Sequence, residues 1–384
     1  MLAIPYLNLF FFCALSFFAN NDTHKREFSC SLRYFCALYL IIFIGFRGFV
    51  STDWVNYYPF YVNLQIWKDI DFDYLGSFGW EIGTPLLMFI LKKIGFDYFG
   101  FCFISAFIDL IIIFRFINKY SKNFYLSLIV FILYNGLTNE FNLLRNSKAI
   151  DLFLLSIDYI DNKKWKYILL NLLGYLFHVT ALFFLLFFVI YQLNILQHKK
   201  AILLLWFAGL VIFSLKIQYI NIILNIIADF LPSRLGWLVK RYTIFNKLLV
   251  NYGFGLGFIE RFFSFLLIYL FQDKLIAQNK KNSIFIVMIY LYFLIFLYFA
   301  EIFELASRLT TLMVFSYWIL LSNLYAIFTP SKKRLFVSIF GIYSLLKIFA
   351  IFGNDLSLQY ENILFGAQTY NERRVNNLNY RFIK

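Results

Sequence analysis

The sequence is poor in the residues that build metal sites. It contains only three histidines and four cysteines, Cys13, Cys30, Cys36 and Cys102. Neither a Cys-x-x-Cys nor a His-x-x-x-His pair occurs, so the ligand spacing of a protein-built zinc site is missing. Most of the cysteines lie in or beside apolar runs, which favours packing over redox chemistry. We therefore expect no metal site and no cofactor.

Charged residues are also scarce, and this excludes a soluble protein. They make up 15% of the chain, whereas hydrophobic residues make up 62% and aromatic residues 23%, with a mean hydropathy of +0.72. No soluble domain of this length buries so much apolar surface. The composition therefore predicts a polytopic membrane protein.

Acidic residues are the rarer charged type, and the formal net charge is +14. In a soluble protein this excess would suggest nucleic-acid binding, but no stretch resembles a nucleic-acid-binding module. Lys and Arg cluster between apolar runs, as expected for cytoplasmic loops. Part of the excess is also suited to binding anionic lipid or a lipid-linked pyrophosphate.

The apolar runs predict an all-α, polytopic transmembrane helical bundle with about eleven membrane helices. The first two cover residues 2–19, a retained helix, and 34–50. The run 82–94 is too short for a full span and predicts a half-helix. We expect a single membrane domain over 1–384. Its outer-face loops are predicted at 51–79, 138–147 and 216–258.

The most informative stretch is GFRGFVSTDWVNYYPFY at residues 45–61. It follows a long apolar run and places Arg47, Asp53, Tyr57 and Tyr58 where a membrane helix should reach the surface. A cation and a carboxylate at the edge of the hydrocarbon are costly unless they are paired or hydrated. Such a cluster is therefore a candidate functional site.

Later polar islands between apolar runs hold further candidates. In chain order these are Glu81, Arg145, His178, Arg261 and Arg308. Each also has a purely structural interpretation. A lone histidine in an apolar run is often a hydrogen-bonded structural residue. A helical ion pair with Glu304 would explain Arg308, and Lys148 is spaced to pair with Asp151.

Several of these blocks resemble one known family. FRGFVSTDWVNYYPFY is similar to the start of the EpsG-like family of bacterial exopolysaccharide and O-antigen polymerases (Wzy-type). The family signature there is Arg-Gly-x-x-Gly-x-Asp-x-x-x-Tyr, and Ser51 replaces its second glycine. The later matching blocks are GWEIGTPLLMFILKKIG, FNLLRNSKAIDLFLLSIDYIDNKKWKY, LFHVTALFFLLFF, SRLTTLMVF and QYENILF. Together they span most of the chain in the expected order.

The resemblance implies a fold like that of lipid-dependent (GT-C-like) glycosyltransferases and a defined reaction. A growing glycan on undecaprenyl pyrophosphate passes to the non-reducing-end sugar of a new lipid-linked repeat unit. This takes place at the outer face of the bacterial inner membrane. The implied partners are the undecaprenyl-pyrophosphate-linked oligosaccharide, membrane lipid, a chain-length regulator and a flippase, and no nucleic acid is involved.

This chemistry assigns three roles to the candidate residues. Arginine binds phosphate oxygens in a bidentate manner and would stabilise the departing pyrophosphate. A carboxylate or an imidazole would take the proton of the acceptor hydroxyl, and tyrosines would bind the sugar. The pyrophosphate ligands are Arg47, Arg145 and Arg308, with Arg261 as a weaker fourth. The candidate bases are Asp53, Glu81 and His178, and the sugar ligands are Tyr57 and Tyr58.

Two other classes of protein fit parts of the pattern. A flippase or exporter of lipid-linked oligosaccharide would also use arginines for pyrophosphate, and the intramembrane acids Asp151 and Asp158 suit it best. A different membrane glycosyl or acyl transferase is the third class. Acyl transfer would rest on His178 and Asn171 alone.

Overall fold

The protein is built from α-helices throughout the part of the chain that the structure describes. The computed structural model describes residues 2–22, 26–65, 79–231, 236–237, 239–240 and 253–383. No strand occurs in these ranges; one isolated bridge joins Arg47 to Asn362. The all-helical part of the predicted fold class is confirmed. Residues 66–78 of the predicted loop 51–79, and residues 232–235, 238 and 241–252 of the predicted loop 216–258, fall outside the described residues.

The chain forms two compact units, one discontinuous and one continuous. Unit 1 runs up to Leu186 and resumes at Leu321, and unit 2 is Phe187–Leu320. The helices up to the end of unit 1's first part are α1 (Ile4–Asp22), α2 (Arg26–Gly45), α3 (Trp54–Asn63), α4 (Gly83–Ile94), α5 (Tyr98–Tyr120), α6 (Phe124–Leu133), α7 (Gly136–Asn142), α8 (Leu144–Ser156) and α9 (Lys164–Tyr175).

The remaining helices follow the same numbering. They are α10 (Leu182–Gln192), α11 (Lys199–Ser214), α12 (Tyr219–Phe230), α13 (Leu256–Gln278), α14 (Asn282–Tyr298), α15 (Phe303–Thr311), α16 (Phe315–Ile327), α17 (Pro330–Phe352) and α18 (Tyr370–Ile383). Helices α10 and α16 cross the boundaries between the units.

Local sequence explains several helix ends. The Asp97 side chain accepts the Gly100 amide at the start of α5, and Asn123 accepts the Leu126 amide at the start of α6. Helix α4 ends at Gly95, whose φ of 105° is readily available to glycine. Pro330 occupies the first turn of α17, where a missing amide proton costs nothing.

Several helices are long and apolar enough for a membrane. Helices α5 and α17 could each cross a bilayer alone by length and composition. Three bent pairs raise this number to as many as five spans: α6 with α7, α11 with α12, and Leu305–Thr311 with α16. Shorter apolar helices occur in addition. The protein is therefore a helical membrane protein, and the predicted count of about eleven helices with a half-helix at 82–94 stays a prediction.

The second helix ends earlier than predicted. It ends at Gly45 and not at residue 50, and the next residues pair with the C-terminal segment. The Gly48 amide donates to Glu361 O, the Ser51 amide to Ser357 O, and the Ile363 amide to Phe46 O. These backbone bonds between distant segments replace the helical ones.

One buried arginine stabilises the pairing between residues 46–51 and the C-terminal segment. Arg373, in α18, is fully buried, and its Nε donates to Phe49 O over 2.9 Å. Its Nη2 donates to the carbonyl oxygens of Leu356, Ser357 and Gln359, and its Nη1 approaches the Glu361 carboxylate at 3.5 Å. The C-terminal segment thus holds the loop of residues 46–51 in place.

Candidate active site

The site begins at a tight turn that leads into α3. Ser51 adopts a φ of 73°, in the left-handed region that favours glycine. The Asn142 side-chain oxygen accepts the Thr52 hydroxyl over 2.9 Å and the Asp53 amide over 3.1 Å. This contact ties the turn to the end of α7 and sets the position of Asp53 at the start of α3.

Arg145 is the centre of the polar cluster. It lies in the first turn of α8, and its Nη1 donates to Glu81 Oε2 over 2.6 Å. Its Nε donates to the Tyr57 hydroxyl over 3.0 Å, and its guanidinium lies 5.5 Å from the centre of the Trp80 ring. Both charged side chains remain partly exposed, at 23% for Arg145 and 21% for Glu81. A ligand can therefore reach them.

Glu81 also connects this cluster to the segment around His178. Its Oε1 accepts the Val179 amide over 2.8 Å. Two residues later, the Gly83 amide donates to Leu176 O over 2.7 Å. A Cβ atom at Gly83 would lie only 2.7 Å from that carbonyl oxygen, so the approach requires glycine.

His178 is held in a fixed orientation. Its Nδ1 lies 2.7 Å from the Thr180 hydroxyl, which donates to Asn146 Oδ1 over 2.7 Å. Asn146 follows Arg145 in α8, so His178 shares its support with the arginine.

The two predicted sugar-binding tyrosines have different surroundings. Burial raises the pKa of Tyr57 to about 12, with Asp53 and Glu81 adding to the rise and Arg145 opposing it. The hydroxyl therefore stays protonated at physiological pH and acts as a hydrogen-bonding group, not as a base. Tyr58 stacks on Tyr370 with ring centres 4.9 Å apart and packs edge-on against Phe49, so its ring supports the aromatic core.

The structure does not bring Arg47 into the Arg145 cluster. Arg47 is buried, donates to Ile44 O over 2.8 Å and lies 5.7 Å from the Phe141 ring centre. These contacts hold the end of α2 against α7. The predicted role of Arg47 as a pyrophosphate ligand stays a prediction.

A second group of buried charges lies in the interior of unit 1. Lys148 donates to the Asp109 carboxylate and to Ser105 O. The predicted pairing of Lys148 with Asp151 is therefore wrong, because the lysine forms its ion pair with Asp109 on α5. Asp158 accepts hydrogen bonds from Lys119 and Tyr120. Asp158 is one of the two acids that would suit a transporter, and its partners lie at the end of α5.

Arg261 and Arg308 belong to unit 2. The Arg261 guanidinium donates to the Tyr292 hydroxyl over 3.1 Å and lies 4.2 Å from the Phe296 ring centre. Arg308 is exposed in α15. The side chain of Glu304, its predicted partner, lies outside the described residues.

Sequence reasoning missed some members of the cluster. Trp80 and Thr180 were not predicted as site residues, nor was Asn146. Trp80 directly precedes Glu81 and Asn146 directly follows Arg145, so adjacency to a charged candidate was the available signal. Among the described residues, no group of three or more His, Cys, Asp or Glu side chains could hold a metal ion.

Comparison with known families identifies the class of protein. The model described as the EpsG family matches residues 30–362, which is most of the chain. The chain therefore belongs to the EpsG family, and this membership indicates a function of the polysaccharide-polymerase type. No curated protein and no solved structure matches the chain.

Proposed function

We propose that the protein is a membrane glycosyltransferase that polymerises lipid-linked oligosaccharide repeat units. The growing glycan leaves undecaprenyl pyrophosphate and joins the non-reducing-end sugar of the next repeat unit. The observation that supports this proposal most directly is the partly exposed cluster of Arg145, Glu81 and Tyr57 in a chain of the EpsG family.

The reaction needs few protein groups. The bond between the anomeric carbon and the pyrophosphate oxygen breaks, and a bond to the acceptor hydroxyl oxygen forms. The electron pair leaves with the pyrophosphate, whose charge Arg145 stabilises. The acceptor proton passes to a base. The carboxylates of Glu81 and Asp53 are the first candidates, and the imidazole of His178 is the third.

We rank the predicted pyrophosphate ligands by their surroundings. Arg145 is partly exposed, its guanidinium lies 5.5 Å from the centre of the Trp80 ring, and it lies in the first turn of a helix, where the helix dipole favours an anion. Arg47 is buried against backbone and an aromatic ring, so we propose that it positions the site loop. Roles for Arg261 and Arg308 in the same reaction stay part of the proposal.

Incubation of the purified protein with a lipid-linked repeat unit alone tests this function. We expect a ladder of products at repeat-unit intervals without added nucleotide sugar. Arg145→Ala should abolish the ladder at nearly unchanged stability, since it removes a partly exposed side chain. Arg47→Ala should instead lower the unfolding temperature, because it leaves a buried gap and an unpaired carbonyl.

The opposite result would identify another class of protein. Absence of a ladder, with the same substrate crossing liposome membranes, would indicate a flippase or exporter. A ladder that persists in Arg145→Ala would remove the pyrophosphate role from this residue. Arg374→Ala is the matched control, because Arg374 is exposed on α18, and it should leave the ladder unchanged.

A further inference from the structure

Glu81 occupies part of the anion-binding edge of Arg145. A diphosphate is best held by both terminal nitrogens of a guanidinium at once. Glu81 uses only one of them, Nη1, and places its second oxygen on the Val179 amide. The other terminal nitrogen, Nη2, has no hydrogen-bond partner among the described residues, and Nε is used by Tyr57.

The remaining contacts of Arg145 do not compete with a diphosphate. Tyr57 accepts from Nε, which points away from the terminal edge, and the centre of the apolar Trp80 ring lies 5.5 Å from the guanidinium. Only Glu81 must leave for a bidentate grip to form. Its single hydrogen bond to Arg145 is partly exposed to solvent, so the exchange costs little.

Departure of Glu81 changes what its carboxylate can do. In the structure Oε2 is on Arg145 and Oε1 is on Val179, so both oxygens already have partners. After exchange, Oε2 is available to accept a hydrogen bond from another donor close to Arg145. The acceptor hydroxyl of an incoming sugar is such a donor.

From this geometry we infer that Glu81 is an internal substitute for the substrate diphosphate, which displaces it from Arg145 and thereby releases it as the base. This inference rests on the proposed function and adds an order to it. The donor must bind through its diphosphate before the carboxylate can take the acceptor proton. An unoccupied site is consequently held inactive.

Binding of farnesyl diphosphate to the full-length protein in detergent tests the exchange without any transfer step. Removal of the competing carboxylate by Glu81→Gln should tighten binding by about three- to tenfold, which is the size of effect expected for a partly exposed ion pair. The same variant should form no ladder from lipid-linked repeat units. Farnesyl monophosphate should gain less, because it offers fewer oxygens.

Three controls make the result specific. Arg145→Gln should bind weakly, and adding Glu81→Gln to it should give no gain, since the competition acts through Arg145. Glu372→Gln removes an exposed carboxylate in α18 and should leave the affinity unchanged, which excludes a general charge effect. Glu81→Asp keeps the charge but shortens the reach, and it should also bind more tightly than the native protein.

The outcomes separate the two proposals. Equal or weaker binding by both Glu81→Gln and Glu81→Asp overturns the exchange, even if the native protein makes a ladder. Absence of diphosphate binding in every variant also overturns it. Tighter binding in a protein that makes no ladder supports the exchange and contradicts the polymerase assignment.

Discussion

Ser51 shows how a single residue sets the shape of the site. Its φ of 73° lies where glycine is favoured, at the position where the resemblance described above implies a glycine. The structure shows that the turn between Gly48 and Asp53 needs this conformation, because it lets the Ser51 amide reach Ser357 O.

Substitutions at Ser51 should follow backbone strain. Ser51→Gly should match or raise the unfolding temperature, because it removes roughly 1 kcal/mol of left-handed strain at some entropic cost. Ser51→Val should destabilise by about 1–2 kcal/mol, because a β-branched side chain fits this region poorly. Thermal unfolding in detergent measures both, with exposed Ser331→Val as the control. Equal unfolding temperatures for the valine and glycine variants would contradict this account.

At the scale of elements, the site depends on how α4 meets the segment between α9 and α10. Glu81 reaches Val179 because Gly83 lies directly against Leu176 O. The two segments are far apart in sequence, and the contact between Gly83 and Leu176 is made by backbone atoms. The position of Glu81 is therefore fixed by a close approach that only glycine permits.

Gly83→Ala should separate these two segments. Its Cβ would lie 2.7 Å from a backbone oxygen, so the chain must shift and the Glu81–Val179 bond must lengthen or break. We expect a loss of about 1–3 kcal/mol in stability and a weaker product ladder. Gly341→Ala is the matched control, since no atom lies within 4 Å of its Cβ, and it should stabilise α17 slightly. Equal ladders from both variants would show that the approach is not needed.

Helices were easier to predict than their contacts. Hydrophobic runs predicted the first two helices at 2–19 and 34–50, and the structure has them at Ile4–Asp22 and Arg26–Gly45, because such runs are a local signal. Arg145 and Glu81 were both predicted as site residues, but not as partners, since they are 64 positions apart. The same limit explains why the wrong partner was predicted for Lys148. It also explains why the hydrogen bonds of Arg373 to distant segments were not predicted. Such pairings depend on packing between helices, which a local pattern does not encode.

At the scale of the whole molecule, the proposed function requires the site to face outward. Three of the four cysteines are buried and Cys30 is exposed, so the Cys30→Ser variant should show little labelling of its native cysteines. In this background Asn56→Cys, exposed in α3, should react with a membrane-impermeant maleimide on intact cells. Ser331→Cys, at the start of α17, should react only after permeabilisation. The reverse pattern would place the site on the cytoplasmic side.

Within unit 1, residues near one end of the described chain form hydrogen bonds with residues near the other end. The loop 46–51 pairs with residues 356–363, Arg373 binds both, and the Tyr6 hydroxyl donates to Leu358 O. The family match ends at residue 362, so Arg373 lies beyond it. In sequence, unit 2 is one continuous stretch that comes between the two parts of unit 1.

This arrangement has a consequence for biosynthesis. Translation proceeds from the N-terminus, and domains generally fold as units as they emerge. Unit 2 is complete once Leu320 has been made, whereas unit 1 must wait for the last helix. The turn that carries Asp53 is therefore synthesised early but acquires its final shape among the last events of folding. A ribosome that stalls before Arg373 would leave the loop of residues 46–51 without the hydrogen bond from Arg373 to Phe49 O, although the residues of the Arg145–Glu81 pair have already been made.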